Sequence, residues 1–287
     1  MTAALTFPLI AFGAIVRLKG GGLGCPDWPL CWGELTPLGQ IISPAAHQVQ
    51  QALEMGHRYV ATTVGLLSIV LVVVAWRSEA LRPLRRLALG VLTLVIVQGL
   101  FGALTVTSGL KAWSVAGHLL GGNLCFIAII LLARRADQLS NGNGFPRIFW
   151  CRSPLSDALL MILVAMVFGG VVSGSGASYH CPGWPLCPSE FPGLEMDRGL
   201  QHLNLTHRLL AGLAGLALLR DLLQAWRGGA ARPLVFATGL LLIVEVAVGA
   251  INALTHIPVP ISTLHTAVAA LIVAGLTVLL SDPREQL

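Results

Sequence analysis

The sequence predicts an all-α membrane protein: eight transmembrane helices in two tandem, pseudo-symmetric four-helix bundles, with both termini in the cytoplasm. Three observations lead there. Hydrophobic residues fill 55% of the 287 positions and charged residues only 11%, with a mean hydropathy of +0.78. So few charges cannot cover the surface of a water-soluble chain of this size. Apolar stretches recur at roughly 2–17, 54–76, 87–107, 114–133, 155–174, 203–225, 233–253 and 261–281, and in lipid such stretches satisfy their backbone amides as helices. Finally, the chain repeats itself: Cys25-Pro-Asp-Trp-Pro-Leu-Cys31 returns 156 residues later as Cys181-Pro-Gly-Trp-Pro-Leu-Cys187.

The first apolar run ends at Val16 and is shorter than the roughly 20 residues a span needs. It lacks the basic start and small-residue cleavage site of a signal peptide. It therefore either borrows residues beyond Arg17 or begins upstream of Met1. Orientation follows from the basic residues. Arg77, Arg82, Arg85, Arg86, Arg134, Arg135, Arg147, Arg152, Arg220, Arg227, Arg232 and Arg284 fall in inner loops, whereas Lys19, Lys111 and Arg198 fall in outer ones, with Arg17 at a boundary. The positive-inside rule then puts both cysteine loops on the outer face of the cell (inner or plasma) membrane. The net charge of +5 is scattered over these loops and predicts no nucleic-acid partner. Residues 134–153, with Asn141-Gly-Asn-Gly144, read as a cytoplasmic linker between an N-terminal half (1–133) and a C-terminal half (154–287). Both halves enter from the same side, so the repeat is parallel.

Four histidines sit at matched places in the repeat. His57 and His207 are 150 residues apart, His118 and His265 are 147 apart, and each begins an inward-running helix. Ionisable groups in a membrane are costly and usually functional, and two imidazoles from facing helices make a good axial pair for haem iron. The residue four positions on, one turn deeper on the same face, is small each time: Ala61, Gly122, Ala211 and Ala269. A flat macrocycle requires that, although tight helix packing uses small residues too. His47, His180, His202 and His256 lack repeat partners and read as solvated. Arg58 and Arg208 directly follow the paired histidines, where they could hold haem propionates or snorkel to the interface.

The halves also differ. Glu54, three residues before His57, is matched by Asn204. A carboxylate there could take protons or stabilise positive charge on a substrate carbon; the plainer role is an acid favoured by the helix dipole. Glu245 stands where the first half has Gln98, a proton or structural position. On an oxidising outer side the cysteines can close local disulfides, Cys25–Cys31 and Cys181–Cys187, acting as structural staples or as redox-active pairs. Cys125 and Cys151 read as plain thiols.

Together these residues resemble the heme A synthase family of cytochrome oxidase assembly enzymes. The resemblance is carried by Gly13-Ala-Ile-Val-Arg17, Gly20-Gly-Gly-Leu-Gly-Cys-Pro-Asp-Trp-Pro-Leu-Cys31, Glu54-Met-Gly-His-Arg58, His118, the second cysteine loop, Thr206-His-Arg208 and His265. It implies oxidation of the C8 methyl of heme O to the formyl group of heme A. It also implies unequal halves: His207 and His265 hold a haem b cofactor, while His57 and His118 receive the substrate haem. Glu54 corresponds to the family's catalytic acid, and Cys25 with Cys31 to a functionally important pair. Expected partners are a heme O synthase (protoheme farnesyltransferase), an external electron donor or oxidant, the lipid bilayer, and a second copy of the chain in a homo-oligomer. The rival readings are a di-haem b-type membrane electron carrier, which predicts equivalent halves, and a quinone-coupled thiol oxidase, which leaves the four histidines without a task. A haem exporter would need a nucleotide-binding motif or a polar pathway, and the sequence offers neither.

Overall fold

The structure, a computed structural model, describes residues 1–25, 27–34, 47–142, 154–188, 190, 196–229 and 231–282. Among these, eight α-helices carry the fold: α1 (Thr2–Leu18), α2 (Gln48–Arg77), α3 (Arg85–Thr107), α4 (Ala112–Ser140), α5 (Pro154–Gly174), α6 (Arg198–Arg227), α7 (Arg232–Leu254) and α8 (Val259–Leu280). Seven are long and apolar enough to cross a membrane, and α1, with 17 residues, is shorter. The chain is thus an all-α membrane protein.

Helices overrun the apolar stretches. α2 starts at Gln48, six residues ahead of the expected 54, and α4 continues to Ser140 through the first part of the expected linker. Hydropathy registers where lipid is, whereas a helix continues for as long as its backbone bonds close. The remainder of that linker, with Arg147, Cys151 and Arg152, lies outside the described residues, as does Arg284. Several ends are fixed by local chemistry. Asp197 caps α6 by accepting from the Leu200 amide at 3.0 Å. Arg85 donates to the Ala75 and Trp76 carbonyls at 3.0 Å each, satisfying the open end of α2.

The neighbour relations repeat. α1, α2, α3 and α4 close a ring in which each packs on the next and α1 meets α4; α5 to α8 do the same. The rings join through α1 on α8, α4 on α5, and α4 on α8. α4, α5 and α8 accordingly bury about half of their apolar windows in protein, while α2, α3 and α7 bury less than a fifth and present Leu66, Val70, Val73, Ile96, Leu100, Phe236 and Ile243 outward. The main apolar core, with Leu218, Val273, Leu276 and Leu279 fully enclosed, lies in the second ring, and a smaller one around Ala88 and Val91 in the first.

The repeat reaches the backbone. The turn after α3 bonds the Leu110 amide to the Thr105 carbonyl at 3.0 Å, and the turn after α7 bonds Ile257 to Asn252 at 2.9 Å. Both turns run through positive φ, at Gly109–Leu110 and at His256–Ile257. Gly20 and Gly176 turn left-handed at the same point after α1 and α5, a conformation that glycine adopts without a Cβ penalty. Trp28–Pro29 and Trp184–Pro185 are both cis.

Candidate functional site

Each repeat-matched histidine rises from an even-numbered helix and lies against a glycine of the helix before it. A Cβ placed on Gly13 would stand 3.2 Å from His57 Cε1, and one on Gly102 would stand 2.9 Å from His118 Cε1. In the second half the corresponding distances are 2.9 Å from Gly169 to His207 and 3.0 Å from Gly249 to His265. Any side chain at these four places would push the imidazole aside. The four glycines were missed at the level of sequence, although the signal was present: Gly13 and Gly169 are separated by the cysteine offset of 156, Gly102 and Gly249 by the histidine offset of 147.

The structure brings the histidines together in pairs. The His57 and His118 ring centres are 6.5 Å apart with planes at 70°, and His265 lies within electrostatic range of His207. A metal held midway between two imidazole nitrogens at about 2.0 Å from each sets the ring centres about 6.3 Å apart, so the first pair has the separation of two axial ligands. Among the described residues no group of three or more His, Cys, Asp or Glu side chains converges. Two imidazoles suit an iron whose equatorial bonds come from a macrocycle, and the residues present fit haem. The other histidines stay apart: His47, His202 and His256 are exposed, and His180 Nδ1 accepts from the Asp197 amide at 3.1 Å.

The imidazole Nδ1 atoms have different neighbours. His207 Nδ1 lies 3.0 Å from the Ala165 carbonyl. His265 Nδ1 lies 3.1 Å from Glu245 Oε1, an ion-pair contact whose angle falls short of a formed hydrogen bond. His118 Nδ1 lies 2.9 Å from Gln98 Nε2, and His57 Nδ1 is buried with no hydrogen-bond partner among the described residues.

Above the histidines sit the cysteine loops. Both disulfides are formed, Cys25–Cys31 and Cys181–Cys187, with Cys25, Cys31 and Cys181 buried. Arg58 ties the first loop to α2, donating to the carbonyls of Asp27 at 3.2 Å, Pro29 at 3.2 Å and Leu30 at 2.9 Å. Arg208 ties the second to α6 through the carbonyls of Cys181 at 2.9 Å, Gly183 at 2.6 Å and Pro185 at 3.0 Å. The guanidinium groups of both arginines thus fasten the loops to the helices.

Glu54 is buried against the first cysteine loop. Its Oε2 accepts from the Cys25 amide at 2.9 Å and its Oε1 pairs with Arg58 at 2.6 Å. Asn204 copies half of this, accepting from Arg208 Nε at 2.8 Å, but its amide donates to the Ala177 carbonyl at 3.2 Å. The arginine is therefore latched to a carboxylate in the first half and to a neutral amide in the second.

Comparison with known proteins adds the chain's relatives. Residues 1–277 match the COX15-CtaA family, described as cytochrome oxidase assembly protein. The chain is similar to the heme A synthase of Shewanella oneidensis, 27% identical over 311 residues that cover 96% of this chain and 92% of that protein. It is also similar to the heme A synthases of Symbiobacterium thermophilum, 33% identical over 74% of this chain and 69% of that one, and of Alkalihalophilus pseudofirmus, 30% identical over 75% and 70%.

Proposed function

Because the chain belongs to the COX15-CtaA family of cytochrome oxidase assembly proteins, we propose that it is a heme A synthase, an oxidoreductase that converts the C8 methyl of heme O to the formyl group of heme A. One observation carries the division of labour between the halves: the same glycine-and-histidine frame occurs twice, and the latch above it is a carboxylate only in the first. His57 and His118 then receive heme O, and His207 and His265 hold a resident haem b. That cofactor supplies one-electron redox chemistry when bound.

The chain's own residues orient and exclude. The four glycines let the Cε1 edge of each imidazole press against the preceding helix, which fixes the approach of the rings to a planar macrocycle. Glu54, held by Arg58 and the Cys25 amide, is the candidate catalytic residue: it accepts protons released from the substrate methyl or stabilises positive charge developing there. The disulfide loops cover the histidine pairs and keep water from that end of the bundle. A formyl group made from a methyl requires repeated oxidation, so an external electron partner completes the reaction.

The architecture consistent with this role is two tandem, pseudo-symmetric four-helix bundles in the cell membrane, with the cysteine loops on the outer face and both termini in the cytoplasm. A heme O synthase would supply the substrate.

Pigments extracted from cells that co-express this chain with a heme O synthase and an electron-transfer partner test the reading. Wild type is expected to give heme A, and Glu54→Ala to retain haem b but form no heme A. Haem b in the purified protein with heme O untouched in both strains would favour a di-haem electron carrier instead.

A further inference from the structure

The two imidazole pairs stand on one frame but are finished differently. In the second half both Nδ1 atoms face an oxygen, the Ala165 carbonyl for His207 and the Glu245 carboxylate for His265. An acceptor beside Nδ1 keeps the proton there, leaves the Nε2 lone pair for a metal, and raises the basicity of the ligand. In the first half neither Nδ1 has such an acceptor. His57 Nδ1 has no partner among the described residues. His118 Nδ1 faces the Gln98 amide nitrogen at 2.9 Å, which also donates to the His118 carbonyl at 2.7 Å.

An amide N–H pointing at Nδ1 favours the opposite tautomer, with the proton on Nε2, where it opposes metal binding. Turning the amide over would set Gln98 Oε1 against the His118 carbonyl oxygen, so this orientation is the better satisfied one. The Gln98 side chain also has a dedicated slot: a methyl group on Gly121 would overlap its Oε1, and the repeat places Val268 at the matching position of the second half.

We infer that the partner at Nδ1 decides which site keeps its haem: Glu245 and the Ala165 carbonyl make the second half a permanent site, and Gln98 makes the first an exchanging one. Glu245 is then a positioning residue that acts through His265, and Gln98 the residue that keeps His118 a weak ligand. A substrate must enter and its product leave, whereas a cofactor must stay, and the two halves differ in that sense. The inference rests on the bis-histidine reading above.

The experiment measures haem release from purified protein to excess apomyoglobin, together with haem per chain and the midpoint potential, for wild type, Glu245→Gln and Gln98→Glu. Glu245→Gln is expected to bind haem b but release it about 10–100-fold faster, the usual effect of removing an outer partner of a metal ligand, here the carboxylate in ion-pair contact with His265 Nδ1. Its potential should rise, because a carboxylate partner favours the ferric state; a tenfold selective loss of ferric affinity corresponds to about 59 mV. Gln98→Glu should raise haem per chain from one toward two and slow release from the first half.

Glu245→Asp should recover part of the wild-type potential, which a purely structural role would not predict. Unchanged release and potential in Glu245→Gln would overturn the inference. If that variant does not fold, an unchanged haem stoichiometry in Gln98→Glu overturns it instead. A wild-type protein without haem, or His265→Ala that keeps haem b, would sink the bis-histidine reading and is distinguishable from either result.

Discussion

At the scale of single residues, close approach dominates. The four imidazoles are positioned by what is missing opposite them, so adding one methyl group there is a sharp test. In Gly249→Ala the new Cβ would lie 3.0 Å from His265 Cε1, and overpacking of that kind costs about 1–3 kcal/mol. Haem b affinity should fall about tenfold or more, since each 1.4 kcal/mol is a factor of ten, and haem per chain after purification reads it. Gly65→Ala, where the new Cβ would meet open space, should keep the wild-type content. Full haem retention in Gly249→Ala would remove the glycines from the site.

At the scale of elements, the cysteine loops are held on helix ends by arginine forks. Arg58 reaches three loop carbonyls and Glu54 at once, a geometry that a lysine ammonium cannot reproduce. Arg58→Lys should loosen the first loop by about 1.5–3 kcal/mol, the range for one hydrogen bond to a charged group. The buried Cys25–Cys31 disulfide should then be reduced by a water-soluble phosphine roughly tenfold faster or more, measured by alkylation of the freed thiols. A wild-type rate would show that the disulfide closes the loop without the arginine. Arg208→Lys should act on Cys181–Cys187 in the same way and leave the first loop unchanged.

At the scale of the molecule, two rings share a seam in which α1 meets α8 and α5 meets α4. Near one end Gln138 Nε2 donates to the Ser281 carbonyl at 2.7 Å and Arg134 reaches Ser281 Oγ at 3.3 Å, so the seam is polar where the basic residues gather. The excess of arginine at that end predicts a cytoplasmic location. With a membrane-impermeant maleimide on intact cells, Lys111→Cys should label and Glu79→Cys should not. Labelling of Glu79→Cys from outside would invert the proposed orientation. Glu79 is 78% exposed, so access does not confuse the result.

The sequence by itself determined the helical class, the duplication, the two histidine pairs and the two cysteine pairs. Those properties are local: hydropathy reports the solvent of a segment, and a repeated spacing such as that from His118 to His265 survives any folding. It also marked the pairings of Glu54 with Asn204 and of Gln98 with Glu245, but not what each side chain meets. Only the tertiary structure decided that Arg58 and Arg208 fasten loops, that glycines lie beneath all four imidazoles, and that an oxygen faces His265 Nδ1 where an amide nitrogen faces His118. Such contacts depend on how each helix is rotated about its axis and how closely it approaches its neighbour. Hydropathy carries neither quantity, because a lipid-facing and a neighbour-facing apolar residue read alike until the helices are packed.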